Sequence, residues 1–170
     1  MINKPAAFLD RDGTINIDRG YIYQRKDFEW TKDAQEAIKY LYEKDFYIFI
    51  VTNQSGISRG YYSEKDVVYL HKYINDELRL HGAKIHEFFY SPYHPDGLSN
   101  KYDHLEKLRK PNTGMLELAN SKWPIDKKKS FMIGDKQSDI KCGESYGIKS
   151  FLYDGNRSLL HFVKSIVNNL

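Results

Sequence analysis

Five short apolar runs punctuate the 170-residue chain: Ala6–Leu9, Phe46–Val51, Phe88–Tyr90, Phe131–Ile133 and Ser150–Tyr153. Stretches of helical spacing separate them. Strand-length runs alternating with helical patterns argue for an α/β fold built on a parallel sheet. Ala34, Ala37, Ile38, Leu41 and Tyr42 repeat at helical spacing, as do Val67, Leu70, Ile74 and Leu78. Ser63 and Asp66 form a capping box at the start of the second of these helices. Asn112 or Thr113 starts the next helix, and Pro124 lies beyond its end. Leu159, Leu160, Val163, Ile166, Val167 and Leu170 define an amphipathic final helix. Two long stretches, residues 11 to 32 and 91 to 111, lack a pattern, and each follows an expected strand. Long unstructured connections in compact domains are usually functional or disordered. Ligands of open α/β sheets bind outside the carboxyl ends of the strands, so the two stretches are expected to meet over one site.

The length suits a single domain, residues 1–170, with a true core. Fourteen tyrosines and nine phenylalanines point to an aromatic-rich core. A net charge of +3, without a run of five basic residues, gives no footprint for nucleic acid. It suits a small anionic substrate. The lone Cys142 excludes an internal disulfide and a cysteine-built zinc site. The start, MINKPAAFLD, carries no signal-peptide core, and no segment approaches 18 apolar residues. A reduced, cytoplasmic monomer without a membrane span is expected.

Four clusters carry chemistry. In FLDRDGTI, residues 8 to 15, an apolar run ends in Asp10, with Asp12 and Gly13 behind it. Two carboxylates at a strand end repel unless a cation lies between them, and Mg²⁺ suits carboxylate and carbonyl oxygens. An aspartate can also act as nucleophile, and a second carboxyl as acid and then base. An Asp-rich turn is the plain alternative. In IVTNQSG, residues 50 to 56, Thr52 and Asn53 can hydrogen-bond a phosphate or simply make a turn. In IGDKQSDI, residues 133 to 140, Asp135 and Asp139 share a face if a helix begins there, and Lys136 can reach a phosphate. Asp135 as a helix cap is the alternative. Arg109 and Lys110 can neutralise phosphoryl oxygens, or can be a solvated pair.

The order and spacing of these four clusters resemble the haloacid dehalogenase superfamily of phosphotransferases: DxDGT, strand-Thr, Lys, then GDxxxD. The resemblance implies a Rossmann-like parallel sheet with helices on both faces and no large cap domain. It implies Asp10 as nucleophile and Asp12 as general acid/base. Mg²⁺ would be held by Asp10, the Asp12 backbone carbonyl and Asp135. Asp139 would orient the metal site from behind, and Thr52 and Lys110 would stabilise the phosphoryl group. Within the superfamily, FLDRDGTIN, DRGYI (18 to 22), TNQSGISRGY (52 to 61), RKPNTGML (109 to 116) and GDKQSDI resemble the heptose bisphosphate phosphatases. Histidinol phosphatases are similar. That likeness places Asp18, Arg19, Gly20 and Tyr21 on the sugar side. It places Thr52, Asn53, Gln54 and Ser55 around the phosphate. Arg109 would then meet the other phosphate or the sugar, and Lys136 the transferred group. A small phosphosugar substrate is implied, without nucleic-acid or membrane partners.

One departure from that family pattern is large. A zinc-stabilised loop before Arg-Lys-Pro is usual, with a Cys-x-His and a Cys-x-Cys pair. Here those positions hold Ser91, Tyr93, Glu106 and Leu108, so no zinc is expected. His94, Asp96, Asp103 and His104 lie nearby at a spacing unlike tight zinc sites. Packing by Tyr93, Leu98, Tyr102 and Leu108 is expected to hold the loop instead. His71, His81, His86 and His161 read as packing or surface residues. A non-catalytic phosphosugar-binding module and a phosphatase acting on nucleic-acid ends are the competing classes.

Overall fold

The computed structural model describes residues 3–170. Five parallel strands form one sheet: β1 (Ala6–Leu9), β2 (Tyr47–Asn53), β3 (Glu87–Ser91), β4 (Phe131–Gly134) and β5 (Lys149–Leu152), in the order β3-β2-β1-β4-β5. The register pairs Phe8 with Phe49 on one side and with Met132 on the other. Five α-helices connect or follow the strands: α1 (Ala34–Glu43), α2 (Glu64–Leu80), α3 (Gly114–Lys122), α4 (Gln137–Tyr146) and α5 (Leu159–Val167).

The period-2 alternation of strand side chains sorts the core into two layers. Ala7, Leu9, Ile48, Ile50 and Ile133 point to one face, where Ile38 of α1, Ile74 of α2 and Val163 of α5 cover them. Ala6, Phe8, Phe49, Val51 and Met132 point to the other, against Met115 of α3 and Cys142 of α4. The result is the parallel α/β sheet that the apolar alternation predicts, in the Rossmann-like form with helices on both faces that the family resemblance implies. The chain winds outward from β1 to β3, then returns to β4 beside β1. That reversal opens a crevice at the carboxyl ends of β1 and β4.

Local signals explain most helix boundaries. Ser63 and Asp66 form the reciprocal capping box: Oγ of Ser63 accepts from the Asp66 N–H, and Oδ2 of Asp66 accepts from the Ser63 N–H at 2.8 Å. Thr113 caps α3. Several expectations need correction. Only three of the fourteen tyrosines, Tyr62, Tyr146 and Tyr153, are buried, and the core is mainly aliphatic. A phenolic hydroxyl needs a polar partner, so most tyrosines keep their tips at the surface. α5 ends at Val167, short of Leu170. Residues 91 to 111 are not wholly irregular, because Asn100–Leu108 forms a 3₁₀ helix. None of its residues is fully buried, and only Tyr102 and Leu108 pack partly against the core, so hydrophobic periodicity could not reveal it.

Two histidines are built in as neutral groups. His86 Nδ1 accepts the Ile48 N–H at 3.0 Å, and burial, with Lys84 and Lys4 nearby, holds its pKa down to about 4. Burial and the Arg11 charge hold His71 well below the usual range. The unfolded chain therefore takes up these protons first, and stability present above about pH 6.5 is lost as pH falls towards 4. We predict that the urea midpoint falls over this range. His86→Gln should remove about 1 kcal/mol of that loss, allowing for screening at a half-exposed site. A pH slope identical to that of the unsubstituted protein would contradict this role for His86.

Candidate active site

β1 runs straight into Asp10, whose N–H continues the ladder to the Ile133 carbonyl at 2.9 Å. The strand end therefore aims this carboxylate into the crevice. Behind it the chain wraps around one carbonyl: the N–H groups of Thr14, Ile15 and Asn16 all donate to Arg11 O. Gly13 makes the wrap possible, with φ of 87°. A Cβ there would stand 2.2 Å from Asp135 Oδ2, so this position also admits Asp135. Gly134 serves Asp139 in the same way, since a Cβ would meet that carboxylate at 2.2 Å.

At the centre lies the Lys110 ammonium, 97% shielded from solvent. Its Nζ is 2.7 Å from Asp10 Oδ1, 2.6 Å from Asp139 Oδ1 and 2.7 Å from the Val51 carbonyl. Burial opposes its charge, but the Asp10 and Asp139 carboxylates outweigh burial and raise its pKa. Burial also pushes Asp10 upward, with Lys110 pulling against it. Asn53 fixes the lysine's main chain. Its Oδ1 accepts the Lys110 N–H at 3.0 Å, and its Nδ2 donates to Lys110 O at 3.1 Å. The Asn53 amide is thus engaged with the backbone rather than free for a phosphate.

Asp135 precedes α4, and Asp139 sits in its first turn, with Oδ2 accepting the Lys136 N–H at 3.0 Å. The two acids therefore converge from a strand–helix junction, not from one helical face. Among the described residues, Asp10, Asp135 and Asp139 are the one group of three metal-ligating side chains with ligand atoms within 4.8 Å of one another. Asp139 has both oxygens occupied. Asp135 Oδ1 is buried without a hydrogen-bond partner among the described residues. A buried carboxylate oxygen left unpaired calls for a partner, and hard oxygen donors suit Mg²⁺. The residues fit such a cation, with Asp10 and Asp135 as its side-chain ligands.

Asp12 faces the same space, held from three side chains: Arg11, Asn16 and Gln54. Arg11 Nη2 lies 3.0 Å from each of its oxygens, Asn16 Nδ2 donates to Oδ1 at 3.0 Å and Gln54 Nε2 donates to Oδ2 at 3.0 Å. Tyr62 OH donates to Gln54 Oε1 at 2.7 Å and so fixes which way the amide points. Gln54 Nε2 also donates to Thr52 Oγ1 at 2.8 Å, which leaves the Thr52 O–H free to donate elsewhere.

Above these groups opens a cavity of about 500 Å³, a volume typical of small-ligand sites. Asp10, Asp12, Thr52, Asn53, Gln54, Ser55, Lys110, Lys136 and Asp139 line its floor and sides. Asp18, Gly20 and Tyr21 from one long stretch meet Arg109 from the other, as expected. Gly20 and Tyr21 take positive φ angles of 78° and 51°, and the Tyr21 ring meets Tyr61 edge-on at 4.7 Å. Arg19 lies outside the cavity lining, paired with Glu29 at the surface. Sequence reasoning passes over Arg11, Tyr62 and Ser138, although Arg11 and Ser138 lie inside the quoted motifs.

The loop lacking zinc ligands is held mainly by polar contacts. The Leu98 N–H donates to Ser58 O at 2.8 Å, and Arg59 Nη2 lies 3.1 Å from His94 Nε2. Arg109 Nη1 donates to Tyr93 O at 3.3 Å. Tyr102 and Leu108 pack against core residues as expected. The Leu98 side chain instead is 79% exposed, because its backbone rather than its side chain makes the anchor. His94, Asp96, Asp103 and His104 do not assemble into a ligand cluster.

Replacing Lys110 by Met should leave two buried carboxylates without their cation. We predict a loss of about 3–5 kcal/mol in urea unfolding measured in EDTA. Unchanged stability would contradict the placement of Lys110 as their counter-charge.

A sequence-family model described as Polynucleotide kinase 3 phosphatase matches residues 5–152. A D-glycero-beta-D-manno-heptose-1,7-bisphosphate 7-phosphatase of Rhodopseudomonas palustris is 41% identical over 96% of this chain and 91% of its own. A D-glycero-alpha-D-manno-heptose-1,7-bisphosphate 7-phosphatase of Photorhabdus laumondii is 42% identical over 84% of this chain and 78% of its own. Among solved structures, a HAD-like phosphatase of Mesorhizobium loti superposes with a TM-score of 0.87 at 28% identity, covering 98% of this chain and 87% of that one. The D,D-heptose 1.7-bisphosphate phosphatase of B. bronchiseptica, complexed with magnesium and phosphate, gives 0.81 at 22% identity, covering 98% and 99%. By sequence and fold together, the chain belongs to the heptose-1,7-bisphosphate 7-phosphatases, a family of phosphoric monoester hydrolases within the haloacid dehalogenase-like phosphatases.

Proposed function

We propose that this protein is a Mg²⁺-dependent phosphatase that removes the C7 phosphate of D-glycero-D-manno-heptose 1,7-bisphosphate through an aspartyl-phosphate at Asp10. This serves nucleotide-heptose synthesis for bacterial surface polysaccharide. The observation that carries the reading is the buried cluster of Asp10, Lys110 and Asp139, with half-buried Asp135 beside it, beneath a polar cavity of small-ligand size. The names of the relatives support the substrate, and they include both anomers.

Asp10 and Asp135, with the Asp12 backbone carbonyl, would hold the cation. Mg²⁺, when bound, offsets charge on the phosphoryl oxygens and on the attacking carboxylate. In the first half-reaction an Asp10 oxygen attacks phosphorus, the P–O bond to the sugar breaks, and Asp12 gives its proton to the leaving alkoxide. In the second, Asp12 takes a proton from water as that water attacks the phosphorus of the aspartyl-phosphate. Inorganic phosphate departs and both carboxyl groups return to their starting state. Lys110 and the Thr52 hydroxyl stabilise the transferring oxygens. Lys136 meets the transferred phosphate from the cavity side. Arg109 meets the second phosphate or the sugar, with Asp18, Gly20, Tyr21, Gln54 and Ser55 shaping the rest. Asn53 acts by holding the Lys110 backbone. Arg19 acts only at the rim.

Phosphate release from heptose 1,7-bisphosphate, followed with and without Mg²⁺, tests this reading. Turnover should require Mg²⁺, and Asp10→Asn should lower kcat by at least about 10³-fold, since it removes the nucleophile. Preferred turnover of histidinol phosphate, or of a 3′-phosphorylated oligonucleotide, would overturn the substrate. Unchanged activity in Asp10→Asn would overturn covalent catalysis.

A further inference from the structure

Arg11 stands between the two aspartates of the DRD triplet, where a charged residue would ordinarily point to water. Instead it has 0% exposure and is among the largest fully buried side chains of the protein. A buried ion pair stabilises a fold weakly, if at all, relative to apolar packing. The retention of a guanidinium here therefore asks for a role beyond stability.

Its contacts supply one. Nη2 spans both Asp12 oxygens at 3.0 Å, and Nε donates to Oδ1 at 3.2 Å. The same Nη2 donates to the Ile22 carbonyl. On the far side Nη1 lies 3.1 Å from His71 Nε2. A guanidinium is planar, so contacts on two sides fix the plane and, through it, the carboxylate. His71 is fixed in turn, its ring stacked on Phe88 at 4.5 Å between centroids. Burial keeps that ring neutral. It can then accept the Nη1–H at Nε2 with its proton on Nδ1. Asn16 and Gln54 restrain the same Asp12 carboxylate. The side chain of Asp12 keeps 18% exposure and lines the cavity.

We infer that Arg11, backed by His71, is a positioning residue: it aims the Asp12 carboxyl at the oxygen of the departing sugar. The chain Phe88–His71–Arg11–Asp12 links β3 and α2 to the turn after β1, so elements remote from the cavity set the angle of proton delivery. This inference rests on the reading of Asp12 as the acid of the first half-reaction.

The test compares kcat/KM for heptose 1,7-bisphosphate and for p-nitrophenyl phosphate in the Mg²⁺-loaded protein. The sugar alkoxide leaves poorly without a proton, whereas nitrophenolate leaves without help. The ratio kcat/KM ends at the first phosphoryl transfer, so hydrolysis of the aspartyl-phosphate does not enter it. Arg11→Met should lower the sugar-phosphate value about 100-fold and the aryl value less than about 3-fold, given the usual worth of a placed general acid. Arg11→Lys should fall between. His71→Phe keeps a ring on Phe88 but removes the acceptor, and should lower the sugar-phosphate value about 10-fold while sparing the aryl substrate. Equal losses on both substrates would make Arg11 merely structural and overturn the inference. If Arg11→Met does not fold, as judged by cooperative urea unfolding, His71→Phe decides alone. Asp12→Asn separates the two readings. Selective loss there without selective loss in the Arg11 and His71 variants overturns only the positioning role, whereas equal loss there overturns the acid itself. Should the unsubstituted protein not hydrolyse the heptose bisphosphate, the sugar phosphate it cleaves best replaces it.

Discussion

The buried Lys110 ammonium is the contact on which the rest of the site depends. It joins Asp10 after β1, the Val51 carbonyl of β2 and Asp139 of α4. Each of these acids would be costly to bury alone, and the lysine would be costly to bury without them. Together they form a charge cluster that needs the strand ends, the long loop before Lys110 and the first turn of α4 all in place. The Asn53 amide, clamped to both backbone groups of Lys110, shows how closely that loop is registered to β2.

The same cluster accounts for how the remaining oxygens are distributed. Lys110 and the Lys136 N–H occupy Asp139, so it braces the site. Asp135 keeps a buried oxygen with no hydrogen-bond partner among the described residues. The glycines at 13 and 134 exist because these two carboxylates occupy the space a side chain would need. Backbone, packing and chemistry here are one constraint seen three ways.

Much of this is legible in the amino-acid sequence. Apolar runs ending in Asp10, Thr52 and Gly134 mark strand ends, and parallel strands bring those ends to one edge. Lys110 carries no such signal, because its burial comes from partners 59 and 100 residues away. Only the order of motifs points to it. Arg11 escapes notice for a related reason: between two acids it looks solvated, and its partners Ile22 and His71 are remote in sequence. The aromatic composition misleads in part, because tyrosine's hydroxyl leaves most of its rings half-buried around the core or exposed rather than inside it. The loop lacking zinc ligands also differs from its expected apolar packing. A main-chain bond from the Leu98 N–H to the Ser58 carbonyl and the Arg59–His94 contact hold it, and neither has a sequence pattern.

In the proposed mechanism Asp10 accepts the phosphoryl group before water does. The stereochemical course at phosphorus measures this directly, with a substrate whose transferred phosphate is made chiral by oxygen isotopes and sulfur. Two successive in-line displacements, first by Asp10 and then by water, give net retention, which is the result this account predicts. Net inversion would mean a single direct attack by water and would contradict it.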